Sequence, residues 1–305
     1  MSQTHSSEQE LAAFTERPCF DEETVLRSDK TWPRISIVTP TLNQGRYIER
    51  TILSVLNQGY PNLEYIILDG GSRDGTSTIV DKYRRYLFHW RSRPDEGQAA
   101  ALKEGFERAT GEIFAWINSD DVYLPGVLKQ IGSIMKGHET ADVCYGNMYL
   151  LDPGGEVIAE RRLTSCSSRL LALGIRHGGF GVYQPAAFWR RRLYERVGGI
   201  DSSLHFDMDN DLFIRFALAG ARFMFHPVSF VGFRIHEASK TFALQDTSKS
   251  EIPLLIRRYG LDHGSVKARC LRTFVRAYRI WKYLLQGDAP YLARRLWPNR
   301  WSWVS

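Results

Sequence analysis

The stretch GEIFAWINSDDVYLPG, residues 111–126, runs an apolar segment straight into two adjacent carboxylates, Asp120 and Asp121, with no cation beside them. Paired carboxylates on a loop suit a hard divalent cation, because Mg2+ or Mn2+ takes one or two protein carboxylates and completes its shell from substrate phosphates. The plainer alternative is that Ser119 or Asp120 caps the helix beginning in LPGVLKQIGSIM, with Asp121 in its first turn. Asp69 follows the apolar run YIIL, where a buried carboxylate needs a donor such as a base N–H or a ribose hydroxyl. Asp209 precedes Leu212, Phe213 and Phe216 at helical spacing, so it is either an N-cap or a partly desolvated group facing a cleft, where it can act as a general base. Asp211 and Arg215, four apart, read as an ordinary surface pair. In FRIHEASKT an extended segment carries Arg234, His236 and Lys240. A neutral imidazole there can complete a metal shell and the cations can hold phosphate oxygens, although a lone histidine is more often structural.

These groups need a scaffold. RISIVTPTLN reads as a short buried strand over 35–38, broken by Thr39-Pro40. A helical stripe at Ile48, Ile52, Val55 and Leu56 follows, closed by Gly59 and Pro61. LEYIILDGGSRDGT is a strand entering a glycine-rich turn in which Asp74 can cap the next helix, TSTIVDKYRRYL. QAAALKEGFERAT is a third helix and EIFAWI a third strand. This alternation predicts an α/β fold, a doubly wound, mainly parallel sheet flanked by helices, which binds ligands at the carboxyl ends of its strands. Thr39 to Asn43, Asp69 to Ser72 and Asn118 to Asp121 then share one rim.

Composition narrows the field. The chain has 305 residues, 43% hydrophobic and 24% charged, typical of a soluble globular protein. No run nears the ~20 apolar residues of a spanning helix, and the polar N-terminus shows no secretory signal. Cys19, Cys144, Cys166 and Cys270 lie far apart, so reduced thiols in a cytoplasm are expected and a zinc site is not. From Arg257 onward eleven Lys/Arg face two Asp, a net +9 against +6 for the whole chain, leaving about −3 for the rest. SVKARCLRTFVRAYRIWKYLL and YLARRLWPNRWSWVS interleave these cations with aromatic and apolar residues. Such a segment either lies on an anionic membrane or docks on the domain with a solvated basic face. No nucleic-acid-binding module accompanies the charge. The chain divides into a polar, poorly ordered lead-in over 1–33, a main domain over 34–241 and a basic, aromatic C-terminal helical region over 242–305.

Taken in order, ISIVTPTLNQGRYIERTILSVLNQGYPNLEYIILDGGSRDGT, DEGQAAALKEGFERATGEIFAWINSDD, QPAAFWRRRLYERVGGID, DMDNDLFIRFALAG and FRIHEASKT resemble the family 2 glycosyltransferases, inverting enzymes of the GT-A fold. The resemblance runs from Arg34 to Thr241. It implies that Thr39, Pro40, Thr41 and Asn43 border the nucleotide base and that Asp69 bonds to it. NSDD looks like the family's DXD motif, with Ser119 on the nucleotide side, Asp120 toward ribose or metal and Asp121 as metal ligand. Asp209 would deprotonate the acceptor hydroxyl, His236 would approach metal and diphosphate, and Arg234 and Lys240 would hold the diphosphate. The implied cofactor is Mn2+ or Mg2+. The implied partners are a nucleotide-diphosphate sugar donor and a saccharide or lipid-linked acceptor, used in polysaccharide or glycan synthesis by a cytoplasmic enzyme peripheral to the inner face of the plasma membrane. Two stretches depart from the pattern. Asn118 removes one anionic ligand, and Ala100 and Lys103 stand where relatives often carry an acidic residue and Asn, near the donor sugar. Two rivals are a sugar-phosphate nucleotidyltransferase, which PTLNQGRY in place of a glycine-rich basic loop speaks against, and a catalytically silent nucleotide-sugar binder.

Overall fold

A computed structural model describes residues 10–165, 167–176, 181–237, 239, 245–260, 264–289 and 291–292. Its centre is a nine-stranded sheet. The strands are β1 (Ile35–Thr41), β2 (Leu63–Asp69), β3 (His89–Ser92), β4 (Ile113–Trp116), β5 (Val122–Tyr123), β6 (Val143–Leu151), β7 (Val157–Arg161), β8 (Ala187–Arg190) and β9 (Phe223–Arg234). Their order is β3-β2-β1-β4-β8-β6-β9-β5, with β7 paired to β6. The pairs β1–β2, β1–β4, β2–β3 and β6–β9 are parallel. β8 runs antiparallel to both β4 and β6.

Both faces of the sheet at β1, β2 and β4 are covered, which is why apolar residues dominate these strands. Side chains alternate across it: Val38, Ile66 and Leu68 enter one core, Ile35, Ile37, Tyr65 and Ile67 the other. The first core is closed by α3 (Gln98–Arg108) and α7 (Met208–Leu218), the second by α1 (Ile48–Leu56) and α4 (Val127–Gly137). Between them in sequence lies α2 (Thr76–Lys82). Further along come α5 (Ser168–Arg176), α6 (Arg191–Arg196), α8 (Gln245–Tyr259) and α9 (Val266–Leu285). α3 lies so close to β1 that a Cβ on Gly105 would meet Val38 Cγ1 at 2.5 Å, so only glycine fits there.

Two expectations change. β1 does not stop at Val38 but continues through Pro40 to Thr41. The Val38 carbonyl accepts from Ile117 N–H on the β4 side, while the Thr41 carbonyl accepts from Gly70 N–H on the β2 side. Pro40 therefore turns its missing donor toward β4, which has already ended at Trp116. The lead-in is also held from residue 10 onward. Asn57 Nδ2 donates to the carbonyls of Phe14 at 2.5 Å and Arg17 at 3.0 Å, and Leu11 packs with Val122 and Leu151. A few anchoring contacts suffice to dock a segment whose average composition is polar. Of the two alternatives for the C-terminal region, docking on the domain is what the described residues make, since Leu255 and Val275 belong to the main core.

Candidate active site

The carboxyl ends of β1 and β4 and the segments before β8 and α7 enclose a cleft of about 670 Å³. Pro40, Thr41, Ser119, Asp120 and Asp209 all line it, so residues far apart in sequence do meet. Beneath the rim, Thr39 Oγ1 lies 3.1 Å from Tyr65 Oη.

The 118–121 turn is built by side chains from several elements. α1 holds it from below: Thr51 Oγ1 donates to the Asp121 carbonyl at 2.7 Å, and Ser54 Oγ accepts from Tyr123 N–H at 3.1 Å. Asn118 accepts from Gln98 Nε2 at 2.9 Å and donates to Asp121 Oδ2 at 3.2 Å, a relay that a carboxylate in its place has no N–H to make. The helix that follows, α4, is capped by Gly126, so neither Ser119 nor Asp120 is its cap.

The two aspartates differ. Asp120 faces the cleft, and its Oδ2 lies 3.0 Å from His236 Nε2, whose ring packs on Tyr47. Asp121 is fully buried behind it, and its Oδ1 accepts from Arg234 N–H at 2.9 Å. Burial, and then the charge of Asp120, push the Asp121 carboxyl well above the usual carboxylate range. Among the described residues no three His, Cys, Asp or Glu side chains are grouped to hold a metal ion. The chemistry of Asp120 with His236 fits Mn2+ or Mg2+ as a partial shell, since such ions keep positions for phosphate and water. A cation would also relieve the carboxylate pair.

Other expected residues sit behind the rim. Asp69 is fully buried and satisfied from within: Ser72 Oγ and Ser92 Oγ each donate to it at 2.5 Å, and Ser72 N–H approaches both oxygens. The need for an external donor thus falls away. Asn43, at φ 51°, joins two loops, its N–H donating to Ser72 Oγ and its Oδ1 accepting from Arg73 N–H. Arg234, expected at the diphosphate, turns its guanidinium away from the cleft. Its Nε donates to the Asp120 carbonyl and its Nη1 to the carbonyls of Asp152 and Pro153, and it lines a separate cavity of about 330 Å³. Lys240 lies outside the described residues.

Asp209 occupies the first turn of α7, whose N-cap is Asp207. Of the two readings of Asp209, the cap belongs to Asp207, and Asp209 lines the cleft with its Oδ1 accepting from Asn210 N–H at 2.8 Å. Asp211 corrects the surface-pair reading: it is fully buried and joins Arg215, at 2.5 Å, and Tyr259 Oη, also at 2.5 Å. Three cleft residues escaped the sequence reading. Gln98 and Gln184 line it, the latter donating to the Trp116 carbonyl at 2.8 Å. Ser239 Oγ and Thr41 Oγ1 also line it, both buried and without a hydrogen-bond partner among the described residues. QPAAFW carried the only sequence signal for Gln184, and nothing marked Ser239 among the polar residues around it.

Known proteins agree with this architecture. The profile described as glycosyl transferase family 2 matches residues 36–198. An uncharacterized glycosyltransferase of Rickettsia typhi is 28% identical over 220 residues, covering 68% of this chain and 66% of that protein, a little under two thirds of its length. TarS of S. aureus, residues 1–349 solved with UDP-GlcNAc, superposes with a TM-score of 0.62 at 20% identity, over 82% of this chain and 72% of that one. The mannosyltransferase PcManGT of Pyrobaculum calidifontis, solved with GDP-Man and Mn2+, gives 0.52 at 17% identity over 98% and 96%. These two likenesses concern the fold, which is GT-A. With more than half of its residues matched by the family profile, and with its strand-end clusters gathered on one cleft, this chain belongs to glycosyl transferase family 2.

Proposed function

We propose that this chain is an inverting glycosyltransferase that moves a sugar from a nucleotide-diphosphate sugar to a hydroxyl of a saccharide or lipid-linked acceptor. One observation carries the reading: Asp120 and Asp209 face a single cleft together with two buried hydroxyls, Thr41 Oγ1 and Ser239 Oγ, that have no hydrogen-bond partner among the described residues. Buried hydroxyls at a cleft wall are satisfied when a polar ligand arrives. The solved relatives with UDP-GlcNAc and with GDP-Man and Mn2+ support a nucleotide-sugar donor and a divalent cation.

In this reading Pro40, Thr41 and Ser119 touch the nucleotide, while Thr39, Asn43 and Asp69 shape the loops behind them. Asp120, with His236 beside it and Asp121 behind, holds the Mn2+ or Mg2+ ion. When bound, the cation neutralises the charge growing on the departing diphosphate. Arg234 fixes Asp120 and Asp121 in place. Asp209 takes the proton of the acceptor hydroxyl. The acceptor oxygen bonds to the anomeric carbon on the face opposite the diphosphate, and the bond to the diphosphate oxygen breaks with its electron pair leaving on that oxygen, which inverts the centre.

A thermal-shift panel of nucleotide sugars, each with and without Mn2+, tests the donor. The right one, at a hundred times its Kd, stabilises the fold by about 2.7 kcal/mol and raises Tm accordingly. A flat panel, with no donor hydrolysed, would sink the reading.

The reading extends to a place at an anionic membrane surface. No helix among the described residues is long and apolar enough to cross a membrane. α9 instead docks through Ala268, Val275 and Tyr283 and leaves Val266, Phe274, Ile280, Trp281, Leu284 and Leu285 exposed. Residues 266, 274, 281, 284 and 285 fall on one face at helical spacing, and the helix carries six Lys/Arg and no acidic residue. Because Val275 belongs to the core, the test uses surface substitutions in the full chain. The wild type should float with phosphatidylglycerol vesicles, and Phe274→Glu with Trp281→Glu should lower vesicle affinity at least ~10-fold, each side chain contributing roughly 1.5–3 kcal/mol on burial. Equal flotation of the two proteins removes the membrane from this proposal.

A further inference from the structure

α8 lies outside every stretch that resembles the family, yet it grips the segment that leads into α7. The Glu251 carboxylate, on α8, accepts three consecutive backbone N–H groups: His205 at 2.7 Å, Phe206 at 3.0 Å and Asp207 at 2.8 Å. Glu251 is only 8% exposed. Burial alone would raise its carboxyl, but the N–H groups of Asp207, His205 and Phe206 outweigh burial and hold it below the usual range. Seven and eight residues further along α8, Arg258 and Tyr259 reach the same segment. Arg258 Nη1 meets Asp201 Oδ2 at 2.5 Å, and Tyr259 Oη donates to the buried Asp211 Oδ1 at 2.5 Å. α8 therefore fastens residues 201–211 at both ends. Asp209 stands inside that span, two residues beyond the last N–H that Glu251 holds.

We propose that Glu251 is a positioning residue that sets the direction of the first turn of α7 and thereby aims the Asp209 carboxylate into the cleft. This rests on Asp209 being the base. The apolar face of α7, Met208, Leu212, Phe213 and Phe216, fixes the helix against the core, and Leu204 enters the same core one turn earlier, while at the entry of the chain the three amides between Leu204 and Met208 are held by the Glu251 carboxylate. A carboxylate that gathers three sequential amides fixes that entry, acting on the peptide groups themselves. Catalysis is sensitive to such aim, since a displacement of about 1 Å can cost ~100-fold in rate. The basic C-terminal region thus contributes to turnover as well as to any surface it touches.

The experiment compares wild type, Glu251→Ala, Glu251→Gln and Glu251→Asp in the full chain. Glu251→Ala should lower kcat about 10- to 100-fold while donor KM and the donor-induced Tm shift stay within about twofold, because the nucleotide side of the cleft is built from β1 and β4. Glu251→Gln keeps the length but offers an N–H2 where an acceptor is needed, and should be nearly as slow. Glu251→Asp keeps the charge and should recover part of kcat. Amide hydrogen exchange should quicken over 205–211 in Glu251→Ala and stay unchanged in β1 and β4. Unchanged protection over 205–211, or an unchanged kcat in folded Glu251→Ala, overturns the proposal. A wild type that binds no nucleotide sugar and transfers none overturns the enzyme reading itself, together with the base that Glu251 is said to aim.

Discussion

Asp209→Asn leaves a folded chain that binds its nucleotide sugar and does not transfer it. Asparagine has the same shape, and its amide oxygen can still accept from Asn210 N–H as Asp209 Oδ1 does. Its amide has no proton-accepting strength, so the acceptor hydroxyl must attack while still protonated. Removing a positioned base lowers turnover by about 10²- to 10⁴-fold. Neither the cap, Asp207, nor the set of buried residues of α7, Met208 and those from Asp211 onward, is altered by the substitution. Tm should therefore move by no more than a surface change does, and the donor-induced Tm shift should persist. Single-turnover transfer at saturating donor and acceptor is the measurement. A rate within a few-fold of wild type would remove Asp209 from the chemistry.

The second large effect is expected at Asp120 rather than at its neighbour. Asp121→Ala would strand Arg234 N–H and the Asn118 amide in a buried place, at about 1–3 kcal/mol for each unsatisfied group, so lost activity there would not separate chemistry from folding. Asp120 makes its carboxylate contact with His236 at the cleft, and its own carbonyl, which Arg234 Nε uses, survives substitution. Asp120→Ala should lower transfer by roughly 10²- to 10³-fold, the loss that follows removal of one electrostatic stabiliser of developing charge. Cation binding supplies a readout independent of turnover. Water-proton relaxation enhancement by Mn2+ in the presence of the nucleoside diphosphate should need at least ~10-fold more metal in the variant. Identical Mn2+ titrations for both proteins would show that Asp120 does not hold the ion.

How much of this was legible in the sequence depended on the range of the interactions. β2, β4, α1 and α3 were plain because their periodicity is local and their ends carry Gly or Pro. β3 was missed: HWRS is a short edge strand with charged and half-buried residues and no alternation to mark it. The meeting of the rim clusters could be inferred, because parallel neighbours deliver their carboxyl ends to one side. The partners of each carboxylate could not. Asp69 looked needy because Ser92, on β3, is invisible to a local reading. Asp211 looked like half of a surface pair because Tyr259 arrives from 48 positions away. Arg234 looked like a phosphate ligand because it shares one extended segment with His236 and Lys240, whereas its guanidinium is occupied by carbonyls from two other loops.

The reversal of β8 has its own consequence. Since β8 runs against β4, the chain enters β8 at the edge where β4 leaves off, and Gln184 clasps the Trp116 carbonyl across that seam. One border of the cleft is thus made of departing chain and the opposite border of arriving chain. The loop before β8 can change length or lettering without shifting the register of any parallel strand. In the transfer reading, a new acceptor could be accommodated by rewriting Val182 and Tyr183, which line the cleft, while Gln184 and the buried Ala186 hold the seam.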